Sequence, residues 1–200
     1  MDTFIATYRI WISRIVSLGF IALIVLTGSS HAGSVSGSLL AFIGLILVGL
    51  AVVGRLWCSL YIAGYKNQQL IRLGPYSMTR NPLYFFSFLG FTGIGLATQT
   101  LVLGLGTAAF FLVFYPYVIR HEESFLQKEF GDQFTEYCNT TPRFWPKFSL
   151  LSEPDVYQVN PKTFRRELGD VMGFILIFGL VQLINTVHQL QIIHPLALLP

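Results

Sequence analysis

Charged residues are confined to three stretches of this 200-residue chain, and the gaps between them constrain its fold more than any other feature. No Asp, Glu, Lys or Arg occurs in residues 15–54, 81–119 or 171–200. A helix needs roughly 20 apolar residues to cross the hydrocarbon of a bilayer, so each window has the length of one or two spans. The charged fraction of 12% is about half that of a soluble domain, and the chain is predicted to be an integral membrane protein.

The windows have room for about five transmembrane helices, which predicts an all-α membrane bundle in a single domain of residues 1–200. Positive charge marks the cytoplasmic side. All three charged stretches can lie on that side only if five helices cross, with the N terminus inside and the C terminus outside. We expect the protein to be in the cytoplasmic (inner) membrane. The predicted spans are residues 10–27, 39–58, 82–97, 101–119 and 171–187.

The first span has an alternative interpretation as a signal peptide. Arg9 and Arg14 lead a short apolar run, and residues 30–32 (SHA) resemble a cleavage site. Apolar residues begin as early as Phe4, which favours a retained span.

Polar and small residues inside the spans carry further expectations. Arg55 either reaches the interface from the end of its span or binds a ligand. Gln182, Asn185 and Gln189 either line a substrate groove or bond neighbouring helices. Small residues of the third and fourth spans should let these helices pack closely, namely Gly90, Gly93, Gly95, Gly104, Gly106 and Ala108.

Two polar segments flank the hairpin of the third and fourth spans. Residues 66–84 include LGPYSMTRNPLYF, which has more special residues than a connection needs. Residues 120–147 have apolar residues at three-to-four spacing, typical of an amphipathic helix at the cytoplasmic face. The hairpin returns the chain to the same face, so one pocket is expected to hold Arg80, Asn81, Glu122 and Glu123.

These residue types suit a zwitterionic, partly aromatic ligand. A guanidinium binds a carboxylate, a carboxylate binds an ammonium or hydroxyls, and a tyrosine ring packs on a base or a cation. The sequence has no Cys or Ser beside a base, no metal-ligand cluster and no P-loop, which disfavours covalent catalysis and metal-dependent hydrolysis. The net charge of +3 is too small to indicate nucleic acid.

The two segments together resemble a known superfamily. GPYSMTRNPLY, followed after the hairpin by EESFLQKEFGDQFTEYCNTTPRFWP, is similar to the isoprenylcysteine carboxyl methyltransferases and phospholipid methyltransferases. The similarity covers about residues 61–147. The matching positions are Gly74, Pro75, Tyr76, Arg80, Asn81, Pro82, Tyr84, Glu122, Glu123, Phe130, Gly131, Tyr137, Pro142, Arg143 and Pro146.

The resemblance implies transfer of a methyl group from S-adenosylmethionine to a lipid-like or prenylated substrate at the cytoplasmic face. The implied cofactor contacts are Gln68, Gln69, Leu70, Ile71, Tyr76, Asn81, Pro82, Leu83, Tyr84 and Glu122. Arg80, Glu123 and Arg120 are the predicted catalytic residues, with Glu123 the candidate base for an amine acceptor.

The chain departs from the carboxyl methyltransferases at two positions. They usually have His where this chain has Asn81, and an Arg near the substrate where it has Val118, a place that Arg120 could fill. Two alternatives stay open. A nicotinamide-dependent membrane reductase would require more spans and a larger basic cluster for the phosphates of its cofactor. A non-catalytic membrane binding subunit would not bind S-adenosylmethionine.

Overall fold

A computed structural model describes residues 19–63 and 69–200 and confirms the all-α membrane bundle. Residues 19–26 are helical, and two three-residue strands lie near the two ends of the described chain. The elements are β1 (Thr27–Ser29), α1 (Val35–Ile62), α2 (Pro75–Met78), α3 (Pro82–Ala97), α4 (Leu101–Thr140), a 3-10 turn (Phe148–Leu150), α5 (Pro161–Gln189) and β2 (Ala197–Leu199).

Three helices within the described residues, α1, α4 and α5, are long and apolar enough to cross a membrane. The apolar helix α3 has 16 residues, a length of about 24 Å at the usual rise per residue. Its bounds are those of the predicted third span. Residues 10–18 of the predicted first span lie outside the described residues, and Thr27 at its end is in β1. The count of five spans therefore stays a prediction.

Two helices extend beyond the predicted spans. Helix α4 starts with the predicted span at residue 101 and continues past Arg120 to Gly131, where a kink separates it from a second helical segment that ends at Thr140. Its direction changes at Gly131, whose φ of 51° lies in the left-handed region that favours glycine. Helix α5 begins before the predicted fifth span, because the Asn160 side chain caps it and Pro161 occupies its first turn.

Glycines bring the helices into close contact, as predicted. A Cβ added to Gly44 of α1 would lie 2.6 Å from the carbonyl oxygen of Gly93 in α3. One added to Gly95 would lie 2.9 Å from the Cα of Gly104 in α4. At Gly106, in contrast, a Cβ would face open space among the described residues. Small residues thus set the approach of α1, α3 and α4.

Arg55 fits neither sequence interpretation. Its Nη1 donates to Ser87 Oγ of α3 at 2.6 Å, and its Cζ lies 5.7 Å from the ring centroid of Phe174 in α5. The guanidinium therefore links three helices.

Two polar residues of α5 bond a neighbouring helix, the second of the two roles that the sequence left open. Gln182 Nε2 and Asn185 Nδ2 donate to the carbonyl oxygen of Ala97 at 3.1 and 2.9 Å. Bonding between helices is confirmed for both side chains, and it satisfies a carbonyl at the C-terminal end of α3.

Two charge-free loops (residues 29–38 and 98–100) meet at one end of the bundle. Ser29 Oγ donates to the carbonyl oxygen of Gln99 at 2.6 Å, which joins the first loop to the α3–α4 turn. Strands β1 and β2 pair in parallel, and Val102 N–H donates to Pro200 O at 3.3 Å. The C-terminal residues thus close the end of the bundle opposite to the polar segments.

Candidate functional site

The stretch before α3 is shaped by a glycine in a left-handed conformation. Gly74 has φ of 60°, and a Cβ there would collide with the ring of Tyr61. Pro75 then starts the short helix α2, and Thr79 returns the chain to an extended conformation. Asn81 follows at the N-cap of α3, with Pro82 in the first helical position.

Asn81 ties the beginning of α3 to the far part of the chain. It is buried, and its side chain turns away from its own helix. Its Nδ2 donates to the carbonyl oxygen of Arg143 at 2.9 Å and to Glu123 Oε1 at 3.2 Å. The departure from His at this position thus leaves a hydrogen-bond donor directed at the second polar segment.

Glu123 is the centre of the polar cluster. Its Oε2 lies 2.8 Å from Arg143 Nη2, and its Oε1 lies 3.5 Å from Arg80 Nε in addition to the Asn81 bond. The side chains of Glu123 and Arg80 are only 15% and 14% exposed. The predicted meeting of Arg80 and Asn81 with Glu123 is confirmed. Asn81 donates a hydrogen bond to Glu123, and both guanidiniums lie at ion-pair distance, although Arg80 Nε has no hydrogen-bond acceptor in the described part of the chain. Three neighbours around one carboxylate favour a positioning role for this group.

A third segment, which we call the strap (residues 141–152), completes the cluster. It runs along residues 74–81 and carries Arg143 to Glu123. Three backbone bonds join the two segments: Gly74 N–H to Ser152 O at 2.8 Å, Arg80 N–H to Pro142 O at 2.9 Å, and Lys147 N–H to Met78 O at 3.0 Å.

Glu122 differs from its neighbour. It is half-buried and has no hydrogen bond or ion pair with any residue that the structure describes. Tyr76, a predicted cofactor contact, is near enough to feel its charge. Burial raises the pKa of Tyr76 well above its usual value, and Cys58, Tyr137 and Glu122 add to the effect. Tyr137 fixes this segment by donating from its hydroxyl to Tyr76 O at 2.5 Å.

An open polar cleft of about 560 Å³ adjoins the cluster along α4. Its lining residues are Arg120, Glu123, Ser124, Gln127, Lys128 and Arg143. Exposed Arg120 lies with its Cζ 6.0 Å from the ring of Tyr117. In the part of the chain that is described, Arg120 and Lys128 have no carboxylate partner. The cleft therefore presents unpaired positive charge beside the shared carboxylate.

The remaining predicted contacts differ in their exposure. Gln69 is exposed, Leu70 and Ile71 are half-buried, and Gln68 lies outside the described residues. Pro82 is buried at the start of α3, and Leu83 is half-buried beside it. The structure brings Arg80, Asn81 and Arg120 to the cluster or its cleft.

Tyr84 and Arg72 both contact helix α4. Tyr84 lies with its ring 5.5 Å from that of Tyr115 on α4. Arg72 pairs with Glu136 at 3.1 Å and donates to Gln133 O at 2.7 Å. The segment before α2 is thereby fixed to the C-terminal half of α4.

Arg143 is the site residue that the sequence interpretation missed. It belongs to the Pro-Arg pair of the resemblance, yet it received no role there. The Pro142-Arg143 pair was the available signal, because it places a guanidinium in the segment 120–147, which was otherwise described only as amphipathic.

Comparisons with known proteins agree with this geometry. Residues 35–133 match the sequence profile of a family described as phospholipid methyltransferase. The nickel-cobalt-cadmium resistance protein NccN of Alcaligenes xylosoxydans xylosoxydans is 40% identical over 191 residues, 94% of this chain and 86% of that protein. The cobalt-zinc-cadmium resistance protein CzcN of Cupriavidus metallidurans is 36% identical over 189 residues, 94% of this chain and 87% of that protein. No solved structure matches.

Proposed function

The chain belongs to the phospholipid methyltransferase family of membrane proteins, and from this we propose that it transfers a methyl group from S-adenosylmethionine to a carboxylate or amine of a lipid-like or prenylated acceptor. One observation supports the proposal most. Arg80 and Asn81, from before α3, share the carboxylate of Glu123 beside a polar cleft.

The chemistry of the cleft fits the proposed cofactor. Its volume of about 560 Å³ falls within the range of roughly 300–1,000 Å³ of small-molecule sites. Arg120 and Lys128 line the cleft and suit the carboxylate of an amino-acid group. Neither Glu122 nor Tyr76 lines the cleft. We assign Glu122, which is half-buried and has no partner among the described residues, to the ammonium, and the half-buried ring of Tyr76 to the base or the sulfonium.

The residues act chiefly by positioning. S-adenosylmethionine, when bound, supplies a methyl carbon already activated by its sulfonium, so alignment with the acceptor provides most of the rate. Glu123 holds Arg80, Asn81 and Arg143 in one arrangement, and the strap fixes the backbone beneath them. A base is needed only for an amine acceptor, and Glu123 in that role stays a prediction.

We place the reaction at the cytoplasmic face of the inner membrane. All charged residues lie in three stretches, and the cluster is built from two of them. The opposite end of the bundle is closed by the charge-free loops. Positive charge is retained on the cytoplasmic side, which puts the N terminus inside and the C terminus outside.

Binding of S-adenosylmethionine is the first test. Calorimetry with the detergent-solubilised protein is expected to show saturable binding, and Glu122→Ala is expected to abolish it. Glu129→Ala, at an exposed position further along the same helix, is the matched control and should bind normally. A folded protein that does not bind would support the non-catalytic subunit, and binding of a nicotinamide cofactor instead would support the reductase.

The acceptor is the second test. Membranes enriched in the protein are incubated with methyl-labelled cofactor, and the labelled lipid or metabolite is identified. Methyl label released by mild base indicates an ester and hence a carboxylate acceptor, whereas stable label indicates an amine. Absence of labelled product from a preparation that binds the cofactor would contradict the proposed activity.

The names of the relatives suggest a physiological setting. Both are called resistance proteins for cobalt and cadmium, together with nickel or zinc. We infer that the methylated product contributes to tolerance of such metals. A deletion strain should grow less well on cobalt or cadmium, and complementation with Glu122→Ala should fail. Normal growth of the deletion strain would contradict this setting.

A further inference from the structure

An aromatic residue of the strap, Trp145, packs against the apolar part of the bundle. Its ring centroid lies 6.1 Å from that of Phe85 and 6.0 Å from that of Phe88, both on α3. The ring of Phe88 in turn lies 5.6 Å from that of Phe111, which belongs to the charge-free stretch 101–119 of α4. The strap follows a polar helical segment, yet it contacts side chains that belong to apolar helices.

The position of Phe88 along α3 gives a scale for this contact. Phe88 is the seventh residue of the helix, about 9 Å along the axis from the first residue at the usual rise. The 16 residues of α3 span about 24 Å, which is less than the roughly 30 Å of bilayer hydrocarbon. Because α3 packs closely on α1 and α4, we expect both of its ends to lie at or within the hydrocarbon boundary. Trp145 lies beside its second turn.

Three of the four large exposed side chains of the strap are apolar. Trp145 and Phe148 are 61% and 73% exposed, and Leu151 is exposed as well. The fourth is Lys147, whose long side chain can keep its ammonium in water while its stem lies along an apolar surface. Exposed apolar patches mark contact with a membrane or with another protein, and Trp is enriched where a membrane meets water.

The backbone of the strap meets the main condition for a non-helical segment at membrane depth. Such a backbone is tolerated there only where the protein itself satisfies its polar groups. Three backbone bonds join the strap to residues 74–81, and Asn81 Nδ2 donates to Arg143 O at 2.9 Å. Pro142 and Pro146 have no N–H that would need a partner. The strap can therefore leave water at a low cost in unsatisfied backbone groups.

We propose that the strap lies in the interfacial layer of the bilayer, with Trp145, Phe148 and Leu151 in contact with bulk lipid. The bilayer is the partner, and not a second copy of the chain or a cytosolic protein, because Trp145 adjoins α3 at a depth where helices of the bundle meet lipid. The same segment directs Arg143 to Glu123 at 2.8 Å, so the strap forms part of the wall between lipid and the charged cluster. This placement does not depend on the proposed function.

Quenching of Trp145 fluorescence tests the placement. The full chain with Trp11→Phe and Trp57→Phe keeps Trp145 as its single tryptophan and is reconstituted in nanodiscs of phosphatidylcholine that hold one copy. Lipid brominated near the headgroup end of its chains should quench the emission most, lipid brominated near the chain ends less, and aqueous iodide least. The expected depth is about 5–10 Å below the headgroup boundary, as for other interfacial segments.

Two further single-tryptophan variants, both with Trp145→Phe, provide the comparison. Phe148→Trp moves the probe along the strap and should give the same order of quenching as Trp145. Glu129→Trp is the matched control, because Glu129 is exposed on the charged part of α4, beyond the charge-free stretch. In that variant the order should be reversed, with iodide the strongest quencher.

Two results would overturn the proposal. Iodide quenching of Trp145 as strong as that of Glu129→Trp would place the strap in water. Protection of Trp145 from both iodide and brominated lipid would mean that protein covers it. Restored lipid quenching of Trp145 but not of Phe148→Trp would also contradict an interfacial strap. Calorimetry with S-adenosylmethionine on the same nanodiscs reports separately on the proposed function, and its failure would leave the lipid contact standing.

Discussion

The two ends of the bundle are closed by different chemistry. At one end, neutral groups suffice: Ser29 Oγ donates to Gln99 O at 2.6 Å, and Thr98 Oγ1 donates to Gly95 O at 2.6 Å. At the other end, the carboxylate of Glu123 is shared by two guanidiniums and an amide. Both ends connect helices of the same bundle, yet only one uses charge.

This difference indicates that folding by itself does not explain the charges at the second end. Removing charges from water is costly, and a mostly buried ion pair is weak evidence for stability. The neutral end shows that hydroxyl groups and short strands can join the loops without ions. Retaining Arg80, Glu123 and Arg143 at the other end is therefore better explained by binding than by stability.

Removal of the central carboxylate should have the largest effect. Glu123→Ala leaves two guanidiniums without their shared partner, and we expect methyl transfer to fall about 100-fold or more and unfolding free energy to fall by up to about 3 kcal/mol. Glu123→Gln should restore most of the stability but not the rate. Initial rates and thermal unfolding measure the two effects. Parent-like rates in Glu123→Ala would show that the charged end is not the site.

Substitution of one glycine at each end should separate stability from binding. In Gly74→Ala a side chain enters a left-handed conformation against Tyr61, and in Gly37→Ala it meets the carbonyl oxygen of His31. We expect each to cost about 1–3 kcal/mol of unfolding free energy. Only Gly74→Ala should also weaken S-adenosylmethionine binding by calorimetry. Equal loss of binding in both variants would mean that the two ends are coupled.

The buried phenol of Tyr76 gives the charged end an alkaline limit. Burial raises its pKa in the folded state, so the contribution of the neutral phenol to stability is complete below the unfolded pKa of about 10 and is lost as pH rises through the folded value. Denaturant unfolding above about pH 10 should show this loss. Tyr76→Phe should flatten the slope, and an unchanged slope in that variant would assign it to other groups.

The smallest effect is expected at the neutral end. Asn185→Leu removes one of two donors to Ala97 O, while Gln182 retains the other. Bonds of this kind between membrane helices contribute about 0.6 kcal/mol each. Unfolding in mixed micelles should show a change of that order, with S-adenosylmethionine affinity unaltered. A loss of affinity would instead revive the interpretation of this face as a substrate groove.

The helices follow from local signals where these signals are strong. Helix α3 has the predicted bounds, because Pro82 fixes its start and the left-handed Gln99 its end. Helix α4 continues past Arg120, beyond the predicted fourth span, since a change from apolar to charged residues does not interrupt backbone hydrogen bonding. The start of α5 at Pro161 precedes the predicted fifth span, because that span was predicted from the absence of charge after Asp170 and not from the Asn160 cap.

Three of the four residues of the cluster were predictable, because a short hairpin must return the chain to the same face. The prediction that joined Arg80 and Asn81 to Glu123 used only this topology. The place of Arg143 depends on the strap, whose backbone bonds to residues 74–81 are independent of residue type. The pairing of β1 with β2, which are far apart in sequence, also uses backbone bonds that do not depend on residue type and is therefore undetectable from sequence.

The backbone bonding of the strap has a consequence for how such proteins diversify. Carbonyl and amide groups at Pro142, Lys147 and Ser152 hold it in place, so its side chains can change without loss of that attachment. Arg143 and Phe144 are carried on this segment. Because the strap is attached through its backbone, substitutions at these two positions can alter the surroundings of Glu123 while the helices next to it stay the same.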